Sequence, residues 1–202
     1  MALHKNMAGA SLHELKGVAD AANDEVPTAS AHTTVWKKLT ADNLEGTGNP
    51  FGGQLFHAYE ARAINVNGGS LLANTWTVRQ FTTTGKSQIS GVNRSNGNIT
   101  FPAGDYIVQA WAAGHGCGMH QLRLATTTGS ILVTGIPAGF DDTTDTAVLQ
   151  TIAHLSGTFT LATSKTVQLQ HNCQSTKTTT GQGNAAGLGP EHYSDLMIWK
   201  VG

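Results

Sequence analysis

The stretch Gly97-Asn-Ile-Thr-Phe-Pro-Ala-Gly-Asp-Tyr-Ile-Val-Gln-Ala-Trp111 commits this chain to β structure. It sets a Pro-Ala-Gly-Asp turn between two apolar-rich segments. Pro102 fixes φ, Gly104 admits positive φ, and Asp105 can bond its own backbone. A second stretch, Leu196-Met-Ile-Trp-Lys-Val-Gly202, reads as a terminal strand. Such a strand is expected inside a sheet, because pairing is what pins a chain end.

Composition agrees. Charged residues make up 12% of the 202 residues, against about 25% in ordinary soluble domains. There are 24 glycines, and Thr, Ser, Asn and Gln stand where helices would carry Lys and Glu. A surface solvated by hydroxyls and amides suits exposed strands and turns. The length accommodates one sandwich of about 100 to 150 residues plus an extra segment.

The formal net charge of −1 gives no electrostatic footprint for nucleic acid or an anionic membrane. No apolar run reaches the length of a membrane-spanning helix, so no membrane insertion is expected. The start, Met1-Ala-Leu-His-Lys-Asn-Met7, lacks the apolar stretch of a signal peptide, so synthesis in a cytosolic compartment is expected. Cys117 and Cys173 then read as free, buried thiols.

The first forty residues differ from the rest. Ser11 and Glu14 form a capping-box pattern ahead of Leu12, Leu15, Val18 and Ala19, which predicts a short helix over about 12–22. Asn23-Asp-Glu-Val-Pro27 reads as a breaker, followed by an extended Thr33-Thr-Val-Trp-Lys-Lys-Leu39. A helix this short is not stable alone in water, and Val35, Trp36 and Leu39 have no local partner. Residues 1–40 are therefore expected to dock elsewhere, with 41–53 a linker and 54–202 the β-domain.

About ten strands follow at intervals of roughly 8 to 15 residues, a sandwich or jelly-roll count. They are expected at 56–64, 75–81, 99–101, 105–113, 119–125, 131–134, 148–155, 157–161, 167–173 and 196–201. Tyr106, Trp76, Trp111 and Trp199 fall on separate strands and are expected to meet in one core. Two long loops break the rhythm. One, 135–146, carries Phe140, Asp141, Asp142 and Asp145; the other, 174–192, carries Lys177, Gln182 and Asn184, with Tyr193 just beyond. Loops of this length are usually functional, so these residues are candidates for receptor contact.

No catalytic set emerges. There is no Gly-x-Ser-x-Gly elbow, and in His192-Tyr-Ser-Asp195 neighbouring side chains face opposite sides of a strand. His115, Cys117 and His120, with His171 and Cys173, hold zinc-ligand types, but their spacings match no metal-binding turn. The three aspartates lack the glycine-centred loop and bidentate Glu of a calcium loop. No enzyme activity, cofactor or metal is expected.

From about residue 56 onward the chain resembles the jelly roll shared by tumour necrosis factor and complement globular heads. The likeness lies in Trp76-Thr-Val-Arg-Gln-Phe81, Gly97 to Tyr106, Gly157-Thr-Phe-Thr-Leu161, Val167-Gln-Leu169 and Tyr193-Ser-Asp-Leu-Met-Ile-Trp199. Related domains form knobs of tailed-bacteriophage fibres and decoration proteins. Leu12-His-Glu-Leu-Lys-Gly-Val18 followed by Val35-Trp-Lys-Lys-Leu39 also looks like the opening of such virion proteins. The resemblance implies a homotrimer, with one sheet of each protomer around a threefold axis. It also implies a virion-surface protein, made in the host cytoplasm and anchored to a capsid or tail protein through Leu12, Leu15, Val18, Val35, Trp36 and Leu39. The alternative is an adhesin whose loops bind host-surface glycans.

Overall fold

The computed structural model describes residues 25–30, 33–38, 54–139 and 149–202. The chain divides into two compact units, Met1–Pro50 and Phe51–Gly202. In the first, β1 (Glu25–Ser30) and β2 (Thr33–Lys38) pair antiparallel, with Pro27 opposite Trp36 and Thr28 opposite Val35. The extended reading of 33–39 is met. The breaker reading around Pro27 is not: a two-stranded ribbon has two free edges, where a residue without an N–H is tolerated. The expected helix over 12–22 lies outside the described residues.

The second unit is an all-β sandwich. One sheet runs β11 (Gln150–Leu161), β8 (Gly104–His115), β13 (Glu191–Lys200), β3 (Gln54–Arg62) and β5 (Thr83–Ser87). The other runs β10 (Ile131–Thr134), β9 (His120–Thr126), β12 (Lys165–Cys173), β7 (Asn98–Phe101) and β6 (Asn93–Ser95), with β4 (Thr77–Val78) also paired to β12. Pairings are nested: β3 with β13, β7 with β12, β8 with β11, and β9 with β10, all antiparallel. A long hairpin rolled up on itself gives this order, which defines the jelly roll.

The alternation of each strand builds the core. Phe56, Ala58, Tyr106, Val108, Leu155, Leu196 and Ile198 face Ile99, Phe101, Leu122, Leu124, Val167 and Leu169. Phe56, Phe101, Tyr106 and Phe159 form an aromatic chain with ring centroids 5.4, 5.5 and 5.0 Å apart. Truncating one such aliphatic or aromatic side chain to Ala costs about 2 to 5 kcal/mol. The Pro102 turn forms as expected: Gly104 adopts φ 150°, and the Tyr106 hydroxyl donates to Pro102 O at 2.8 Å.

Three expectations change. The segments 148–155 and 157–161 are one continuous strand, β11, because Gly157 faces Val133 and its missing side chain leaves room for that neighbour. The strand at 75–81 shrinks to Thr77–Val78, and β5 and β6 are additional. Of the four aromatics expected to meet in the core, only Tyr106 is there. Trp76, Trp111 and Trp199 are half-buried and do not join the core cluster.

Candidate functional site

The two outward faces of the sandwich differ in chemistry. On the five-stranded sheet, cross-strand register sets Tyr59, Asp195, Trp111 and His154 in one row, and Leu55, Trp199, Ile107 and Thr158 in another. Between them run His57, Met197, Gln109 and Ser156. Leu55, Tyr59, Ile107, Trp111, Met197 and Trp199 are half-buried, and Ile152 is 48% exposed. Six of the twelve side chains in these three rows are apolar or aromatic, and all six are half-buried. A recess of about 300 Å³ opens beside Trp111, Gln109, His154, Ser156 and Met197.

Charged groups on this face include Asp195 beside His57 and exposed Asp105, which accepts from Thr160 Oγ1 at 2.6 Å, and Lys86 lies opposite His57 in the β3–β5 register. His57 Nε2 lies 2.9 Å from Asp195 Oδ2, and Tyr59 sits between the His57 and His192 rings at 5.4 and 4.7 Å. Asp195 Oδ1 is buried without a hydrogen-bond partner among the described residues. A carboxylate oxygen removed from water with no donor is costly, so the arrangement suits an added donor.

The opposite sheet shows amides. Arg123 Nε donates to Gln170 Oε1, Gln170 Nε2 to Gln168 Oε1, and Gln168 Nε2 to Asn98 Oδ1, each at 2.7 Å. The Arg123 guanidinium lies 4.1 Å from the centre of the Trp76 ring. A second recess, of about 260 Å³, opens beside Trp76.

Between the sheets, at the end where β12 stops, lies a polar cluster. Arg79 and Glu60 are fully buried, with Arg79 Nη2 3.0 Å from Glu60 Oε2. The same nitrogen donates to Gln182 O at 3.1 Å and Tyr193 O at 2.9 Å. Burial lowers the Arg79 guanidinium to about 10, against which Glu60 raises it. Nearby, His120 Nδ1 lies 2.8 Å from His171 Nε2, and His120 Nε2 lies 2.7 Å from Thr151 Oγ1. Desolvation, helped by the Arg79 charge, pushes His120 down to about 4 and His171 well below the ordinary imidazole range. Cys117 and Cys173 are free and buried beside Leu71, as expected from the sequence. Among the described residues no group of three or more His, Cys, Asp or Glu side chains is placed to hold a metal ion.

The sequence-derived receptor residues do not converge. Gln182 is buried, its Nε2 donating to Ser70 O at 2.7 Å. Tyr193 is also buried, in β13, with its hydroxyl donating to Val66 O at 2.9 Å. Neither side chain is presented to a partner; both hold the long loop down. Glu191 does the same, accepting from the Ala186 and Gly187 N–H groups, which keep its carboxyl below the usual range. Lys177 exchanges backbone hydrogen bonds with Leu71, and of the described candidates only Asn184 is exposed. Phe140, Asp141, Asp142 and Asp145 lie outside the described residues, as do Leu12, Leu15, Val18 and Leu39. Val35 and Trp36 lie on β2. The residues missed were Trp76, Arg123 and the amide ladder. Their signal was the spacing of Gln121 and Arg123, and of Gln168, Gln170 and Asn172, two apart on paired strands.

No family model matches the chain, and no curated protein matches it. Similar solved structures include the globular domain of zebrafish complement 1qA protein, at 14% identity over 74% of this chain and 98% of that chain, with a TM-score of 0.47. Murine APRIL is similar at 9% identity in its pH 8.0 crystal structure, over 72% of this chain and 97% of that one, TM-score 0.42. At pH 5.0 the corresponding figures are 8%, 73%, 98% and 0.44.

Proposed function

We propose that this chain is a virion surface protein of a tailed phage: a homotrimeric jelly-roll knob, planted on a capsid or tail protein by residues 1–40. It serves display and not catalysis. The observation that carries the reading is the outward face of the β11–β8–β13–β3–β5 sheet. Its half-buried Leu55, Tyr59, Ile107, Trp111, Met197 and Trp199 form a patch of the sort that marks an association surface. Asp195 Oδ1, buried there without a donor, adds a polar group that a neighbouring protomer can satisfy. Closed rotational packing of three copies covers such a face on every protomer at once. The leading segment supplies the particle attachment, on its sequence resemblance to the openings of phage virion proteins. Many copies on one particle make a weak anchor sufficient.

Sedimentation equilibrium of the full chain is expected to give three chain masses. Deleting residues 1–40 is expected to leave a folded trimer that no longer co-sediments with particles. A monomer sinks the knob reading, and a truncated protein that still decorates particles sinks the anchor.

A further inference from the structure

The recess beside Trp76 lies on the sheet opposite the face assigned above to self-association, and its chemistry is that of a ligand site. It is lined by Trp76 and Pro137 together with the carboxamides of Asn74, Gln121, Asn172 and Gln174. We propose that it binds one sugar ring of an uncharged saccharide, stacked on Trp76. This goes beyond the display role and does not depend on the particle.

Four observations carry the assignment. The indole presents an apolar plane of the kind that packs against the C–H face of a pyranose, and aromatic rings bring large contact area at low entropic cost. One face of the ring is covered by the Arg123 guanidinium at 4.1 Å, which the hydrogen-bond chain through Gln170, Gln168 and Asn98 holds in place, so the sugar would take the other face of a ring set in advance. Ordering completed before binding does not weaken binding.

The amides are largely unspent. Asn74 and Asn172 side chains make no hydrogen bond to another described residue. Gln174 uses only Oε1, accepting from Met119 N at 3.2 Å, and Gln121 uses only Nε2, donating to Gly135 O at 2.8 Å. A carboxamide offers both donors and an acceptor, which matches a hydroxyl that does both. No Asp, Glu, Lys or Arg lines the recess, and the nearby Arg123 charge is spent on Gln170 and on the Trp76 ring, which favours an uncharged ligand. The volume, about 260 Å³, suits one ring and its hydroxyls, not a long polymer segment.

Saturation-transfer NMR on the full chain tests this with galactose, glucose, N-acetylglucosamine, N-acetylgalactosamine and, as an acidic control, N-acetylneuraminic acid. At least one neutral sugar is expected to receive saturation, mainly on one ring face. Trp76→Ala is expected to weaken its binding about tenfold, and Asn172→Ala about threefold. Asn172 is on the surface, so its variant stays informative if Trp76→Ala fails to fold. Silence from all four neutral sugars overturns the proposal. So does a preference for the acidic sugar, or undiminished binding by a folded Trp76→Ala or Asn172→Ala protein.

Discussion

Arg79 Nη2 sits 3.0 Å from Glu60 Oε2, and neither side chain has measurable contact with solvent. Arg79 also reaches the carbonyls of Gln182 and Tyr193, so one guanidinium joins β3, the start of β13 and the loop between β12 and β13. Its Nε and Nη1 find no hydrogen-bond partner among the described residues, which makes the ion pair to Glu60 its principal compensation for burial.

Glu60→Ala should therefore be severe. Removing one partner of a buried pair costs about 3 to 5 kcal/mol, because the other charge is left without compensation. Arg62 also contacts Glu60, but its side chain is 35% exposed, and Arg62→Ala should cost below about 1 kcal/mol. Urea unfolding followed by tryptophan fluorescence measures both. Similar losses in the two variants would mean that burial of the pair does not set its importance.

Acid should destabilise the jelly roll through His120 and His171. Both are held neutral in the folded state, with His120 at about 4 and His171 well below its ordinary value. The unfolded chain takes up protons near pH 6.5 and the native state does not. Their contribution is thus complete above about pH 6.5 and is lost as pH falls toward 4, at roughly 1 kcal/mol per pH unit from each. Urea midpoints at pH 7.5 and 5 should show the decline, and His171→Gln should flatten it. A wild-type midpoint unchanged over this range would contradict the buried neutral pair.

Cys117 and Cys173 are 1% and 4% exposed. Neither should react with Ellman's reagent at pH 8 in native protein, and both should react fully in urea. Cys173 has its thiol pushed up by Cys117 beside it and by burial, while Cys117 is shifted down, chiefly by its hydrogen bond with Cys173. Iodoacetamide labelling should therefore stay slow until the cluster with Leu71 opens, because the thiolate is the nucleophile and both sulfurs are buried. Peptide mass spectrometry reads both sites, and rapid labelling of either in native protein would contradict their burial.

Met197→Arg and Trp111→Arg place a charge in the centre of the outward face of the β11–β8–β13–β3–β5 sheet. Both positions lie outside the core cluster, so folding should survive with a thermal midpoint within a few degrees of wild type. On the proposed trimer, light scattering should show the mass of a single protomer in place of three. A trimer that persists with Arg at both positions would exclude this face as the contact.

Much of the fold was legible because period-two alternation reports directly on which face is buried. The strand at 131–134 appears with the same bounds, and the Pro102–Asp105 turn appears with its positive-φ glycine. Trp76 shows where alternation fails. It stands just before a strand only two residues long, Thr77–Val78, so its orientation is set by packing that is remote in sequence. Arg79 fails in the other direction: a charged residue reads as solvated until Glu60, 19 positions away, is seen to share its burial. Gln182 and Tyr193 read as loop-tip contacts because polar, glycine-rich sequence hides the tertiary hydrogen bonds to Ser70 and Val66.

The nested pairing of β3 with β13 has a directional consequence. Gln54 lies opposite Lys200, so the sandwich is entered and left side by side at a single pole. Cys173 and His120, which border the Trp76 recess, belong to the other pole, where Arg62 meets Glu191. The amide-lined hollow and the strand ends at Gln54 and Lys200 therefore lie at opposite ends of the sandwich, and a label carried at either of those strand ends would leave the hollow uncovered.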